Sequence, residues 1–189
     1  VDPFCGTGVV LQEALLMGYD VIGSDLSDRM IEYSQVNTEW ILQHAQGART
    51  GKVLDIRQAD ATNYSWNFSK LAAKSSQIDI SVVCETYLGK PLTTVPEKHA
   101  LAEIMNEANT IAEGFLKNLT PQLAKGARAC IALPAWNIGS NRFLHLKVLD
   151  QLENLGYNRL DFVHAKKEDL IYHRTDQVVA RELTILEKK

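Results

Sequence analysis

The sequence predicts an α/β protein built on a doubly wound, mostly parallel seven-stranded sheet with an antiparallel C-terminal hairpin. Three observations predict it. Short apolar, β-branched runs alternate with longer segments whose apolar residues recur at helical spacing, the pattern of β-α-β crossovers. Acids and glycines stand where the early apolar runs end, the positions at which open α/β sheets build their sites. The last two apolar runs are joined by a loop, residues 165–177, with no helical segment between them, so they pair antiparallel.

The elements follow in order. Val1 reads as the end of a buried strand. Val9 to Met17 is helical and is closed by Gly18, suited to a left-handed C-cap. Asp20 to Ser24 forms a short strand ending at Asp25, after which Ser27 is placed to N-cap a helix carrying Met30, Ile31, Tyr33, Val36, Asn37, Trp40 and Ile41 at a period near 3.6. Lys52 to Ala59 alternates as a strand ending at Asp60, and Ile78 to Cys84 is a β-branched strand. Asn63 to Ser76 is the least regular connector. A long helix is expected from Pro96 to Leu119, with Pro96 in its first turn and Pro121 ending it. Ala127 to Leu133 is a strand, Arg142 to Leu155 a helix closed by Gly156, Tyr157 to His164 a strand and Val178 to Leu186 the last strand.

Composition excludes several classes. A chain of 189 residues with 46% hydrophobic and 23% charged residues is a globular domain rather than a disordered or fibrous one. Its apolar runs are shorter than the ~20 residues of a membrane span. Twenty basic against 23 acidic residues, net −3, provide no broad phosphate-binding field. Cys5, Cys84 and Cys130 are odd in number and lack metal-ligand spacing, and the five histidines lack it too, so neither a disulfide framework nor a metal site is expected. A reducing, cytoplasmic setting follows. The chain opens without an initiator methionine, and residues 1–189 are expected to be one domain forming the C-terminal part of a longer protein.

The chemistry concentrates at strand ends. Asp2-Pro3-Phe4-Cys5-Gly6-Thr7-Gly8 runs from a strand into a helix; its glycines let backbone approach a ligand, and the helix N-terminus favours an anionic group. Asp25 ends the next strand 23 residues after Asp2, near the ~20-residue offset at which an acid meets a ribose diol. Asp60-Ala61 ends the third strand, where it can accept from an adenine amino group. Together these point to an adenosine cofactor. Leu11 stands where a dinucleotide fingerprint needs its third glycine, and no Gly-Lys-Ser/Thr is present, which leaves S-adenosylmethionine.

On these residues the chain resembles the class I S-adenosylmethionine-dependent methyltransferases that act on exocyclic amines of RNA, in particular the THUMP-associated tRNA guanine-N2 branch. Asp-Pro-Phe-Cys-Gly-Thr-Gly with Glu13 beyond it is similar to that family's cofactor loop, Gly23 to Met30 to its ribose segment and Gln58 to Ala61 to its adenine segment. Tyr172 to Glu182 is similar to its last hairpin. The resemblance implies cofactor contacts from Asp2, Phe4, Gly6, Gly8, Asp25, Leu26, Asp60 and Ala61. It implies a catalytic role for Glu85 and Tyr87, in the segment Glu85-Thr86-Tyr87-Leu88-Gly89, where the family has Asp-Pro-Pro-Tyr-Gly. The acid and the glycine are retained by type, the prolines are absent and the aromatic stands one place early. It further implies an RNA substrate, most plausibly tRNA with its base flipped into the cleft, and a covalently linked upstream RNA-binding domain.

Plainer roles compete. Asp2 and Asp25 can cap helices, Asp60 a turn, and Cys84 is more reasonably a small buried hydrophobe than a nucleophile. Lys166, Lys167, His173 and Arg174 can meet phosphates or form a solvated loop, and Trp136 can line a base pocket or pack. A DNA or other-amine methyltransferase on the same fold stays open, as does a catalytically silent module that binds RNA or a partner.

Overall fold

The computed structural model of the chain describes residues 1–45, 50–68, 79–140 and 142–189. Its helices are α1 (Val9–Leu16), α2 (Asp28–His44) and α3 (Lys98–Leu119). Its strands are β1 (Val21–Asp25), β2 (Val53–Gln58), β3 (Val82–Glu85), β4 (Arg128–Asn137), β5 (Phe143–Leu144), β6 (Tyr157–Arg159), β7 (Ile171–Tyr172) and β8 (Val179–Lys188). Ile78, expected to begin the fourth strand, and residues 69–76 of the irregular connector lie outside the described residues.

Two ladders are zipped into one sheet by the first two residues. β1 pairs parallel with β2, and β3 with β4. Between them, the Asp2 amide donates to Ile22 O at 2.9 Å, Ser24 N donates to Asp2 O at 2.9 Å, and Val83 N donates to Val1 O at 2.9 Å. The order across the sheet is therefore β2, β1, Val1–Asp2, β3, β4, β8, β6. β8 runs antiparallel to both β4 and β6, so the last strand of the chain lies inside the sheet and β6 forms the edge. β5 occupies the lane beside β4 that β3 has left, and β7 the lane beside β8 that β6 has left.

Strand alternation divides the core into two layers. Val21 and Ile56 pack with Cys5, Leu11, Leu15 and Ile31 under α1 and α2. Ile22, Val82, Cys84, Ile131 and Leu133 face Ala108, Phe115 and Leu119 of α3 on the other side.

Four sequence expectations are corrected. The predicted helix Arg142–Leu155 is replaced by β5 and a 3-10 turn, Lys147–Gln151. Gly139 and Ser140 turn the chain back at positive φ, and Val148 N is caught by Asn109 Oδ1 at 2.8 Å. Leu146 and Val148, two residues apart, are both buried, which one face of an α-helix cannot do. β6 stops at Arg159 rather than His164. β4 extends past Pro134 to Asn137. Residues of β4 alternate between neighbours, and Thr86 N reaches Ala132 O on the β3 side, so Pro134 turns its missing donor toward the side where β3 has ended. Ser27 stands at the N-cap of α2 as expected, and only the capping bond from its side chain is not made.

Candidate active site at the strand ends

The loop from Asp2 to Gly8 is shaped by two left-handed glycines, Gly6 at φ 52° and Gly8 at φ 84°. They serve different needs. A Cβ on Gly8 would lie 2.8 Å from Ser34 Oγ, so this glycine lets α1 start against α2. A Cβ on Gly6 would meet nothing within 4 Å, so this backbone lies bare beside open space. α2 braces the loop: Ser34 Oγ donates to Gly6 O at 3.0 Å and Asn37 Nδ2 to Thr7 O at 2.9 Å.

Asp25 joins that loop to β1. Its Oδ2 accepts from Gly6 N and its Oδ1 from Ser27 N, both at 2.9 Å. Each carboxylate oxygen retains a lone-pair site for a further donor. Ala59 N donates to Asp25 O at 2.9 Å, which brings the β2 end alongside. Leu26, next to Asp25, is 70% exposed. Asp60 is occupied within its own turn, accepting from Thr62 N at 2.9 Å, Thr62 Oγ1 at 2.7 Å and Asn63 Nδ2 at 3.2 Å. This is the turn-capping geometry. Ala61 is buried, and the loop behind it is clamped by the end of α3 and the 3-10 turn after it, Thr120–Gln122: Asn118 Nδ2 donates to Ala61 O and Tyr64 O, while Gln122 donates to Tyr64 O and accepts from Trp66 N.

Asp2 is 2% exposed, its Oδ1 accepting from Phe4 N at 3.0 Å, while the Phe4 ring meets Phe115 edge-on at 5.0 Å. Burial pushes the Asp2 carboxyl up to about 7; the Phe4 amide opposes the rise, and the charges of Asp25 and Glu85 add to it. Glu85, at the end of β3, is half-exposed and accepts from Arg181 Nε at 2.8 Å. Tyr87 follows two residues on and is partly buried.

The structure thus brings Asp2, Phe4, Gly6, Gly8 and Asp25 into one bonded unit, with Asp60–Ala61 and Glu85–Tyr87 on the flanking strand ends. Trp136 is fully buried and packs in the core instead of lining a pocket. Burial raises the thiols of Cys5 (to about 12), Cys84 and Cys130, away from the reactive thiolate form. Of the basic residues in the last loop, Lys167 borders a separate cavity of about 890 Å³, His173 Nε2 donates to Gln177 O, and Arg174 Nε donates to Tyr172 OH. Among the described residues no His, Cys, Asp and Glu group could hold a metal ion, and no helix is long and apolar enough to cross a membrane. Sequence reasoning missed Ser34, Asn37, Asn118 and Gln122 as braces of the site; polar residues three or four apart on helix faces were the available signal. Nothing local linked Arg181 to Glu85.

No protein-family model matches the chain. The curated tRNA (guanine(10)-N2)-dimethyltransferase of Methanothermobacter thermautotrophicus is 31% identical over 134 residues, 71% of this chain and 32% of that protein. The chain therefore spans about a third of that relative's length. Magnesium protoporphyrin IX methyltransferase (ChlM) from Synechocystis PCC 6803, solved with bound SAM, superposes at a TM-score of 0.58 and 14% identity, covering 100% of this chain and 68% of its own. TrmN from Thermus thermophilus superposes at 0.56 and 18% identity, covering 100% of this chain and 43% of its own. At these identities the solved structures show the shared architecture.

Proposed function

We propose that this chain, which has the Rossmann-like fold of the class I S-adenosylmethionine-dependent methyltransferases, transfers a methyl group to an exocyclic base amine of RNA, with guanine N2 of tRNA the favoured target. One observation carries the reading: Gly6 presents bare backbone to open space while its amide is tied to the strand-end carboxylate of Asp25. The residues present fit S-adenosylmethionine. The Asp2–Gly8 loop and the start of α1 would hold its methionine end, Asp25 and Leu26 its ribose, and Ala61 its adenine. The turn-bound carboxylate of Asp60 leaves backbone and apolar contacts to do most of the work there. The name of the 31%-identical relative supports tRNA guanine N2 as the substrate.

S-adenosylmethionine, when bound, supplies the methyl group on a positively charged sulfur, which keeps the bonding pair as the methyl leaves. The part left to the protein is orientation and charge. An amine nitrogen attacking the methyl acquires positive charge, then releases a proton to solvent. Glu85, at the strand end beside Asp2, offers a carboxylate oxygen to the amine N–H as that charge develops. Tyr87 presents an aromatic face for the target base. We further assign residues 1–189 as the catalytic domain and C-terminal part of a longer protein. Its RNA-binding domain lies upstream and it acts in the cytoplasm; net −3 on this chain leaves RNA capture to that domain.

The test is methyl transfer from labelled cofactor to bulk tRNA, followed by identification of the modified nucleoside. Glu85→Gln is expected to lower turnover about 100- to 1000-fold with cofactor affinity nearly unchanged, because the carboxylate acts on charge that exists only in the transition state. Full turnover in Glu85→Gln would remove Glu85 from the mechanism. Tight cofactor binding with no transfer to any RNA or DNA would instead establish a silent cofactor module.

A further inference from the structure

We infer that Arg181 is the positioning residue for Glu85, an assignment that rests on the methyltransferase reading above. The strand register sets the pair up. Glu85 of β3 stands opposite Ala132 of β4, and Arg181 of β8 stands opposite Pro134, so both side chains leave the same face of the sheet from either side of β4. Two interstrand spacings, roughly 9–10 Å, separate their backbones, a gap that an extended arginine and a glutamate close between them. Arg181 Nε donates to Glu85 Oε2 at 2.8 Å. The guanidinium is itself held from a second direction, with Nη1 donating to Gln177 Oε1 at 2.9 Å, and the Gln177 carbonyl accepts from His173 Nε2 at 2.6 Å. The final hairpin therefore reaches across β4 and holds the carboxylate by one oxygen. Among the described residues no hydrogen bond is made to Oε1. That oxygen is left for the incoming amine, in a side chain already oriented before substrate arrives. Orientation of this kind acts on the chemical step, since it removes the reorganisation a free glutamate would undergo during reaction. Glu85 touches the substrate; Arg181 acts through it.

The test uses the longest natural chain that carries this sequence. Arg181→Ala should keep cofactor affinity within about twofold and lower kcat on tRNA about 10- to 100-fold, with a smaller change in KM. The Arg181→Ala/Glu85→Gln double variant should be no slower than Glu85→Gln alone, because residues acting as one unit are not additive. Arg181→Lys should recover part of kcat, since an ammonium can reach Glu85 but cannot also fork to Gln177. Additive losses, or a rise in KM with kcat unchanged, would overturn the assignment in favour of direct RNA contact. Loss of cofactor affinity and melting temperature with kcat per folded molecule preserved would reduce Arg181 to a structural role. A separate readout addresses the pair alone: in 15N-labelled protein, the Arg181 Nε–H signal should be protected from exchange and lose that protection in Glu85→Ala. A wild type that transfers no methyl to RNA or DNA, with the signal still protected, sinks the methyltransferase reading and the positioning role with it; an unprotected signal in an active wild type sinks only the positioning role.

Discussion

Asp25 carries two duties that truncating its side chain removes together. Its oxygens accept from Gly6 N and Ser27 N, so the carboxylate holds the glycine loop in place while offering acceptors to a ribose diol. Asp25→Ala removes both. Leaving the ribose hydroxyls without their acceptor costs roughly 1–3 kcal/mol, so cofactor affinity measured by calorimetry is expected to fall about five- to hundredfold. An unchanged affinity would place the ribose elsewhere. Asp60 has the same position on its strand and a different fate, since Thr62 and Asn63 take up its carboxylate. The sequence could list both acids as strand-end acceptors. It could not tell them apart, because the difference lies in which donors come within 3 Å.

The 3-10 turn Thr120–Gln122, which follows α3, does for the adenine side of the site what Asp25 does for the ribose side. Gln122 Nε2 donates to Tyr64 O and Asn118 O while Gln122 Oε1 accepts from Trp66 N, and these bonds pin the segment that follows Asp60 and Ala61. Gln122→Ala leaves partly buried carbonyl and amide groups without partners. It should destabilise the fold by roughly 1–3 kcal/mol in chemical denaturation and weaken cofactor binding in the folded protein. Loss of stability with binding intact would show that the clamp does not reach the site. At this scale the helices and strands were legible in outline. α1 and α3 begin and end, and α2 begins, within about two residues of the positions read from periodicity and caps, the ordinary scatter of helix ends; α2 runs on to His44, three residues past the last periodic residue Ile41. The helix expected from Arg142 to Leu155 was not, because its apolar residues answer to β4 and Asn109 rather than to one another.

For the whole molecule the residue that matters is Asp2, buried where Val1 and Asp2 join the two ladders into one sheet. Its folded pKa of about 7 lies above its unfolded value of 3.8, so the folded state holds the proton more tightly. Stability is therefore expected to fall as pH rises from about 4 to about 7, with the full penalty present above 7. Three pKa units correspond to on the order of 4 kcal/mol. Asp2→Asn abolishes this dependence, so the variant gains on the wild type between pH 5 and pH 8 in denaturant titrations; parallel pH profiles would show that Asp2 does not titrate in that window.

What the sequence determined alone is everything carried by short-range pattern: the β-α alternation, the glycine loop, the acids at strand ends and the helix-free connection before the last strand. Periodicity and turn chemistry act over a few residues, and local residues encode them. What only the tertiary structure decided is everything that depends on distant partners. Val1–Asp2 becomes a lane of the sheet, β8 enters between β4 and β6, and α3 clamps the loop after β2. Glu85 meets Arg181 across 96 residues of chain. Such a pair is set by strand register, and register is a property of the assembled sheet rather than of either segment.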